Sequence, residues 1–169
     1  TFGYSAALPQ IMQGFGVTGF LTTKLAWNDT NRFPYETFVW KGIDGSSVVA
    51  HFFVIDTWPD PAGLLERIEG IGYKAHIARK QAFPERLVAF GYGDGGGGPQ
   101  FEMIDAARRL QDLEGGPKVE YTSADAFVQK LEAAAPTLPV YDGELDRELH
   151  RGTLPAKQQI KKNNRIAEN

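Results

Sequence analysis

A glycine-rich segment contains the residues with the clearest capacity for chemistry. It reads FGYGDGGGGP at residues 90–99, and six of the eight residues from 91 to 98 are glycine. Glycine loses more conformational entropy on folding than any other residue, so structural convenience alone does not account for six of them. Asp94 is the acid of this segment and follows a predicted buried strand, the position at which α/β barrels carry catalytic groups. The segment therefore predicts a loop that brings a carboxyl group close to a substrate.

Two other interpretations of this segment remain open. One is a flexible loop whose Asp94 caps the helix that follows. The other is a cradle for phosphate, since Gly91, Gly93 and Gly96 fit the pattern GxGxxG. That pattern is a weak signal by itself, and the Gly-Lys-Ser/Thr sequence of a phosphate-binding loop is absent.

An aromatic and polar segment, residues 24–40, is the second candidate for ligand contact. Aromatic rings beside amide and charged groups suit a sugar, which has apolar faces and hydroxyl edges. Trp27 and Asn28 lie in a predicted loop and are candidates for ligand contact. Phe38 and Trp40 lie in a predicted strand, and we expect both in the core.

A third cluster lies at residues 141–153 and contains Glu144, His150 and Arg151. The turn-rich sequence around them predicts a domain junction, where pockets often form. A structural role stays open for His150. The other two histidines, His51 and His76, are isolated in the sequence, and we expect hydrogen-bonded structural roles for both.

The elements that must position these residues alternate between strands and helices. Strands rich in β-branched and aromatic residues are predicted at 18–24, 37–41, 47–54, 86–91 and 118–122, and Asp44-Gly45 predicts a hairpin turn. Helices are predicted at 5–15, 101–113, 123–135 and 156–168, and part of 62–80 is also expected to be helical. The order of strands and helices in the second half predicts parallel strands and an α/β fold class.

The composition limits the classes of function. The 169 residues include 18 Lys and Arg against 21 Asp and Glu, and the net charge of −3 argues against general nucleic-acid binding. No apolar run approaches the roughly 20 residues that a membrane span needs. Without cysteine the chain has no disulfide, zinc–thiolate site or cysteine nucleophile, and together with the lack of a signal segment this predicts a cytoplasmic protein. The first residue is Thr1 and not Met, which predicts a piece of a longer chain.

Five strings, in this order, resemble glycoside hydrolase family 38, the α-mannosidases, and above all its bacterial and cytosolic branch. They lie at residues 2–10, 23–28, 38–46, 90–99 and 143–153, with Lys161-Lys162 and Asn164-Arg165 beyond them. The resemblance covers nearly the whole chain. The sequence departs from the family at Asp146 and Arg147, which replace apolar positions.

The resemblance implies a catalytic domain built as a seven-stranded β/α barrel, followed by a three-helix domain. On this basis residues 1–137 form the later part of the barrel domain, and residues 138–169 form the junction and the start of the helical domain. The resemblance also implies a divalent cation, usually Zn²⁺, in the full-length parent. Its ligands and the nucleophilic aspartate are expected outside this chain, with no metal ligand within it.

Asp94 is the best match to the general acid/base of the family. The residues implied to line the substrate pocket are Lys24, Trp27, Asp56, Tyr92, Glu144, His150 and Arg151. The implied activity is retaining hydrolysis of terminal α-mannosyl residues of oligosaccharides, and a homo-oligomer of the parent is one option. The 169-residue chain alone is expected to be inactive, because it holds one catalytic carboxyl group of two.

Three alternatives belong to other classes of protein. A metal-dependent polysaccharide deacetylase has a similar barrel, but the three scattered histidines are a poor metal set for it. A non-catalytic glycan-binding remnant would use the aromatic residues and dispense with Asp94. A nucleotide-binding α/β protein would use the glycine-rich loop for phosphate.

Overall fold

The computed structural model describes residues 3–28, 30–31, 33–56, 59, 83–93, 97–116, 118–148 and 158–168. The helices are α1 (Leu8–Gly14), α2 (Phe101–Arg109), α3 (Ala124–Ala134) and α4 (Gln158–Ala167), with short 3₁₀ helices at Lys24–Trp27 and Ala135–Thr137. The strands are β1 (Gly19–Thr22), β2 (Thr37–Lys41), β3 (Ser47–Phe52), β4 (Val54–Asp56), β5 (Val88–Phe90) and β6 (Val140–Asp142). The helix expected within 62–80 and His76 lie outside the described residues.

A mixed four-stranded sheet, in the order β1-β3-β2-β6, is the centre of the fold. The strands β2 and β3 form the predicted antiparallel hairpin, with Lys41 opposite Ser47. Its turn contains Gly45 at a φ of 90°, a conformation that glycine adopts without a steric penalty. The outer strands are both parallel to their neighbours, β1 to β3 and β6 to β2.

A second, two-stranded sheet continues from the first. A single residue lies between the end of β3 and the start of β4, and β4 pairs in parallel with β5. The intervening residue, Phe53, donates its N–H to the carbonyl oxygen of Thr22 at 3.0 Å. Because β4 continues β3, this pair of strands runs in the same direction as β1 and β5. All of these strands therefore lead toward one edge of the fold.

Apolar residues cover both faces of β3, which explains why this strand has little alternation in its sequence. Val48, Ala50 and Phe52 belong to a core on one face, whereas Val49 belongs to a core on the other face. The first core contains the fully buried Phe38 and Trp40, as predicted, and the second includes Phe127 and Leu131 of α3. A strand buried on both faces is typical of α/β proteins.

The helix α3 follows its sequence signals closely. Ser123 is the N-cap, and its hydroxyl oxygen accepts a hydrogen bond from the Ala126 N–H at 3.1 Å. Phe127 and Leu131, spaced by four residues, are the buried positions of the helix. The cap and the apolar spacing are both local properties, which is why the sequence predicts this helix well.

Three predictions about the second half of the chain need correction. Residues 118–122 are not a strand, because they lie largely exposed and pair with no strand in the described part of the chain. The strand predicted at 86–91 is only three residues long, and its Ala89 is exposed. The helix predicted at 101–113 ends at Arg109, and Leu113 is exposed just before Gly115 takes a φ of 77°.

The predicted α/β class is confirmed by the mixed sheet and its packed helices. No helix among the described residues is long and apolar enough to cross a membrane.

Candidate functional site

The candidate site is the edge at which β1, β4 and β5 end. The strand β1 ends at Thr22 and is followed by Lys24, β4 ends at Asp56, and β5 ends at Phe90 directly before the glycine-rich loop. In the register of β4 and β5, Asp56 lies opposite Phe90. Ligand sites of parallel α/β sheets form at the carboxyl ends of strands, so this edge is where a substrate is expected. The structure thus brings three predicted positions, Lys24, Asp56 and the start of the loop, to neighbouring strand ends.

The hydroxyl group of Thr22 organises the turn that carries Lys24. Its Oγ1 accepts the backbone N–H of Lys24 at 3.2 Å and lies 2.7 Å from the Tyr4 hydroxyl oxygen. Tyr4 is itself held by a backbone bridge to Leu145, with N···O distances of 2.8 and 2.9 Å. The position of Lys24 therefore depends on residues far apart in sequence.

The glycine-rich loop is closed at its base by contact between its own two ends. Gly91 has a φ of 126°, and a Cβ atom placed there would lie 3.0 Å from the backbone nitrogen of Pro99. A Cβ atom on Gly97 would lie 2.8 Å from the Cβ of Tyr92. Two of the six glycines are thus required where the ends of the loop approach each other.

Tyr92 is the described side chain that the loop presents to solvent. It is 43% exposed. A partly exposed aromatic ring beside a strand end suits contact with the apolar face of a sugar. Asp94 lies outside the described residues, so its assignment depends on the sequence.

The side chain of Asn28 connects the turn after β1 to the segment before residue 150. Its Oδ1 accepts the Glu148 N–H at 3.1 Å, and its Nδ2 lies 3.4 Å from the carbonyl oxygen of Asp146. The Glu148 carboxylate in turn accepts hydrogen bonds from the backbone and the side chain of Asn31. The amide group of Asn28, a candidate for ligand contact, is thus bonded to the protein backbone and stabilises the structure. Glu148 and Asn31 were not predicted, because no local signal joins residues 117 positions apart.

Glu144 lies between the end of β6 and the backbone bridge that joins Leu145 to Tyr4. The N–H of the preceding Gly143 donates to the Lys41 carbonyl oxygen at 3.2 Å, and Lys41 lies opposite Ser47, the first residue of β3. The backbone of Gly143 therefore lies where β2 and β6 end, whereas Leu145, the residue after Glu144, pairs with Tyr4, whose hydroxyl group contacts Thr22 at the end of β1. Among the other predicted pocket residues, His150 and Arg151 lie outside the described residues, and Trp27 is described in its backbone alone.

His51 has the predicted structural role. Its side chain is fully buried, and its ring nitrogens contact Thr37 and Leu87. Arg147, which departs from the family pattern, is also buried.

The described residues do not supply a complete metal site. Within these ranges, no three side chains of His, Cys, Asp or Glu lie close enough together to hold a metal ion.

The chain is similar to several known proteins in sequence and in fold. The model of the glycosyl hydrolases family 38 N-terminal domain matches residues 1–144. The chain is 42% identical to alpha-mannosidase G of Dictyostelium discoideum over 99% of its length, and 42% identical to alpha-mannosidase 2C1 of Homo sapiens over the same share. The structure resembles an alpha-mannosidase from Enterococcus faecalis V583 with a TM-score of 0.59, at 17% identity over 86% of this chain and 17% of that chain.

The fold is of the α/β class, and the matched family model is that of a glycosyl hydrolase domain. The chain belongs to glycosyl hydrolase family 38, as the five strings predicted. It spans 15% of the Dictyostelium relative and 16% of the human one, about a sixth of their length. These relatives are α-mannosidases, and none of them supports the deacetylase, the glycan-binding or the nucleotide-binding alternative.

Proposed function

We propose that this chain is part of an α-mannosidase that hydrolyses terminal α-mannosyl residues of oligosaccharides. The observation that carries the proposal is the glycine-rich loop with Asp94, which directly follows β5 at the edge where β1 and β4 also end. The family membership and the names of the relatives support the same activity.

The proposed reaction proceeds in two displacements with retention of configuration. A carboxylate supplied from outside this chain bonds to the anomeric carbon while the glycosidic C–O bond breaks, and Asp94 gives its proton to the departing oxygen. Water then bonds to the anomeric carbon, loses a proton to Asp94 and releases the first carboxylate. Retention requires the two carboxyl groups to lie about 5–5.5 Å apart.

The other residues proposed to act on the substrate bind and orient it. Lys24 follows β1 and Asp56 is the last residue of β4, and charged residue types at these two positions suit sugar hydroxyls. The exposed ring of Tyr92 suits an apolar sugar face. Trp27, Glu144, His150 and Arg151 complete the proposed set on the basis of sequence.

A divalent cation, usually zinc in this family, is also proposed for the full-length protein. It would position sugar hydroxyls and polarise the substrate. The described residues of this chain do not fit a complete metal site, so the ligands are proposed to come from elsewhere in the protein.

The domain division belongs to the same proposal. Residues 1–137 are proposed to be part of a seven-stranded barrel domain, and residues 138–169 the junction and the start of a helical domain. The full-length protein is proposed to be cytoplasmic, and gel filtration would show whether it is a homo-oligomer.

The test is the Asp94→Asn variant of the full-length protein, assayed on two α-mannosides. One has a 2,4-dinitrophenyl leaving group, which departs without protonation, and the other a methyl group, which needs it. The variant is expected to lose about 10²- to 10⁴-fold of kcat/KM on the methyl mannoside and much less on the dinitrophenyl one. The anomer formed first, observed by proton NMR, reports retention.

The matched control is Asp112→Asn, which changes an exposed carboxyl group just after α2. Its kcat/KM on both substrates is expected to stay within twofold of the unmodified protein. Equal losses of Asp94→Asn on the two substrates would contradict the role of a proton donor. The isolated 169-residue chain is expected to hydrolyse neither substrate, since it spans about a sixth of its relatives.

A further inference from the structure

A buried histidine lies behind the candidate site, and the proposed reaction does not use it. His51 belongs to β3 and points to the same face as Val49, toward α3. Its ring packs against Phe127 with centroids 4.9 Å apart and an interplanar angle of 61°. The side chain is fully buried. A buried titratable group is retained at a cost unless its polar atoms have partners.

Both ring nitrogens of His51 have partners on other segments. The backbone N–H of Leu87 donates to Nε2 at 3.3 Å, so Nε2 is the acceptor and carries no proton. The proton therefore lies on Nδ1, which is 2.9 Å from the Thr37 Oγ1 and donates to it. One imidazole thus connects the first residue of β2 with the residue directly before β5.

The electrostatic surroundings keep the ring uncharged. Burial, and to a smaller extent the positive charge of Arg86, lowers the pKa of His51 from 6.5 to about 3. The acceptor at Nε2 is therefore available across the physiological range of pH.

A second buried connection joins the same two segments. Arg86 Nε lies 2.9 Å from Glu36 Oε1, and the two side chains are only 12% and 6% exposed. Glu36 thus contacts Arg86. The next residue, Thr37, contacts His51, which in turn contacts Leu87. The segment that leads into β5 is held by polar contacts on two consecutive residues.

The short pairing of β5 makes these contacts important for its position. The strand has three residues and pairs only with β4, itself three residues long, among the described strands. It ends at Phe90, and Gly91 begins the glycine-rich loop with Asp94 three residues further on. A displacement of Leu87 along the strand direction would be passed to the loop through these few residues.

We propose that His51 is a positioning residue for the glycine-rich loop: its Nε2 holds the Leu87 N–H and so sets where β5 ends. The inference rests on the proposed function, since it gives His51 a role in placing the proton donor. It adds a residue that lies behind the substrate edge and contacts no substrate.

Two amide variants of His51 each remove one of the two hydrogen bonds of the ring and keep the other. In His51→Gln the side-chain amide reaches about as far as Nε2, so an acceptor for Leu87 remains while the partner of Thr37 is lost. In His51→Asn the shorter amide reaches about as far as Nδ1, so the partner of Thr37 remains while the acceptor for Leu87 is lost. Both variants leave a gap in the core, so both are expected to lower the melting temperature.

The test compares both variants in the full-length protein with the methyl and dinitrophenyl mannosides. His51→Asn is expected to lose about 10- to 100-fold of kcat/KM on the methyl mannoside and less than threefold on the dinitrophenyl one, because a misplaced donor affects only the leaving group that needs a proton. His51→Gln is expected to retain most of the activity on both. If each variant loses as much kcat/KM on the dinitrophenyl mannoside as on the methyl mannoside, His51 has only a structural role and the inference is overturned.

Hydrogen exchange provides a readout that does not depend on activity. Amide exchange in a peptide covering residues 87–93 is expected to accelerate at least tenfold in His51→Asn and to stay near the original rate in His51→Gln. Unchanged exchange in His51→Asn would overturn the inference even if the mannosidase proposal holds. Conversely, if Asp94→Asn shows no dependence on the leaving group, the proposed function is overturned. The hydrogen-exchange result then remains as the test of the contact between His51 and Leu87.

Discussion

Glu148 donates its backbone N–H to the side-chain oxygen of Asn28 at 3.1 Å, although the two residues lie 120 positions apart in sequence. The contact fastens the turn after β1, which carries Lys24, to the segment that leads to His150 and Arg151. Tyr4 reinforces the same connection, since it pairs with Leu145 through its backbone and reaches Thr22 through its hydroxyl group. One side of the candidate site is therefore built from three distant segments of the chain.

Removal of the Asn28 amide should loosen this connection. Asn28→Ala is expected to lower the free energy of unfolding by about 1–3 kcal/mol, since the Glu148 N–H loses its partner in a partly buried position. Urea unfolding of the full-length protein measures the change. The control is Asn164→Ala, which removes an exposed contact between α4 and Glu168, the residue directly after it, and is expected to have a much smaller effect. Equal effects of the two variants would mean that the Asn28 contact adds no stability.

The uncharged state of His51 predicts a dependence of stability on pH. The pKa of His51 is about 3 in the folded state and has its ordinary value of 6.5 in the unfolded state, so the unfolded state binds more protons between these values. The free energy of unfolding should therefore rise with pH from about 3 to 6.5, with a slope of at most about 1.4 kcal/mol per pH unit from this residue. The free energy of unfolding is measured at several pH values for the unmodified protein and for His51→Gln. The difference between their two slopes is the contribution of His51. An unchanged slope in His51→Gln would contradict the assignment.

The buried ion pair of Glu36 and Arg86 predicts a large penalty for removing one partner. Arg86→Met leaves the Glu36 carboxylate without this cation in a buried position and is expected to lower the free energy of unfolding by about 3–5 kcal/mol. The exposed pair of Lys130 and Glu85 is the control, and Lys130→Met is expected to change stability by less than about 1 kcal/mol. The double variant Glu36→Leu/Arg86→Met should recover part of the loss. A double variant no more stable than Arg86→Met would contradict this account.

The closed base of the glycine-rich loop predicts different effects at two of its glycines. Gly91→Ala should destabilise the loop by about 1–3 kcal/mol, because φ is positive and the added Cβ meets the backbone of Pro99. Gly93→Ala meets no atom within 4 Å and should cost far less. Thermal unfolding and kcat/KM on the methyl mannoside check both variants. Equal tolerance at the two positions would show that the ends of the loop do not need to meet.

Local signals predicted the elements whose stabilising contacts are also local. The Asp44-Gly45 turn and the flanking strands formed the expected hairpin, and Ser123 capped the expected helix. Segment 118–122 shows the limit of such signals, because β-propensity does not say whether a neighbouring strand is present to pair with. The same limit applies to Leu113, whose helical spacing predicted an inward side chain beyond the point where α2 ends.

The amino-acid sequence alone was sufficient for the α/β class, the family and the importance of the glycine-rich loop, because strings of neighbouring residues carry these signals. Only the tertiary structure decided that Gly91 approaches Pro99, that Asn28 holds Glu148, and that His51 joins Thr37 to Leu87. The physical reason is that hydrogen-bond partners and close approaches between distant segments are created by packing, and a side chain of a given type offers the same donors and acceptors wherever it lies.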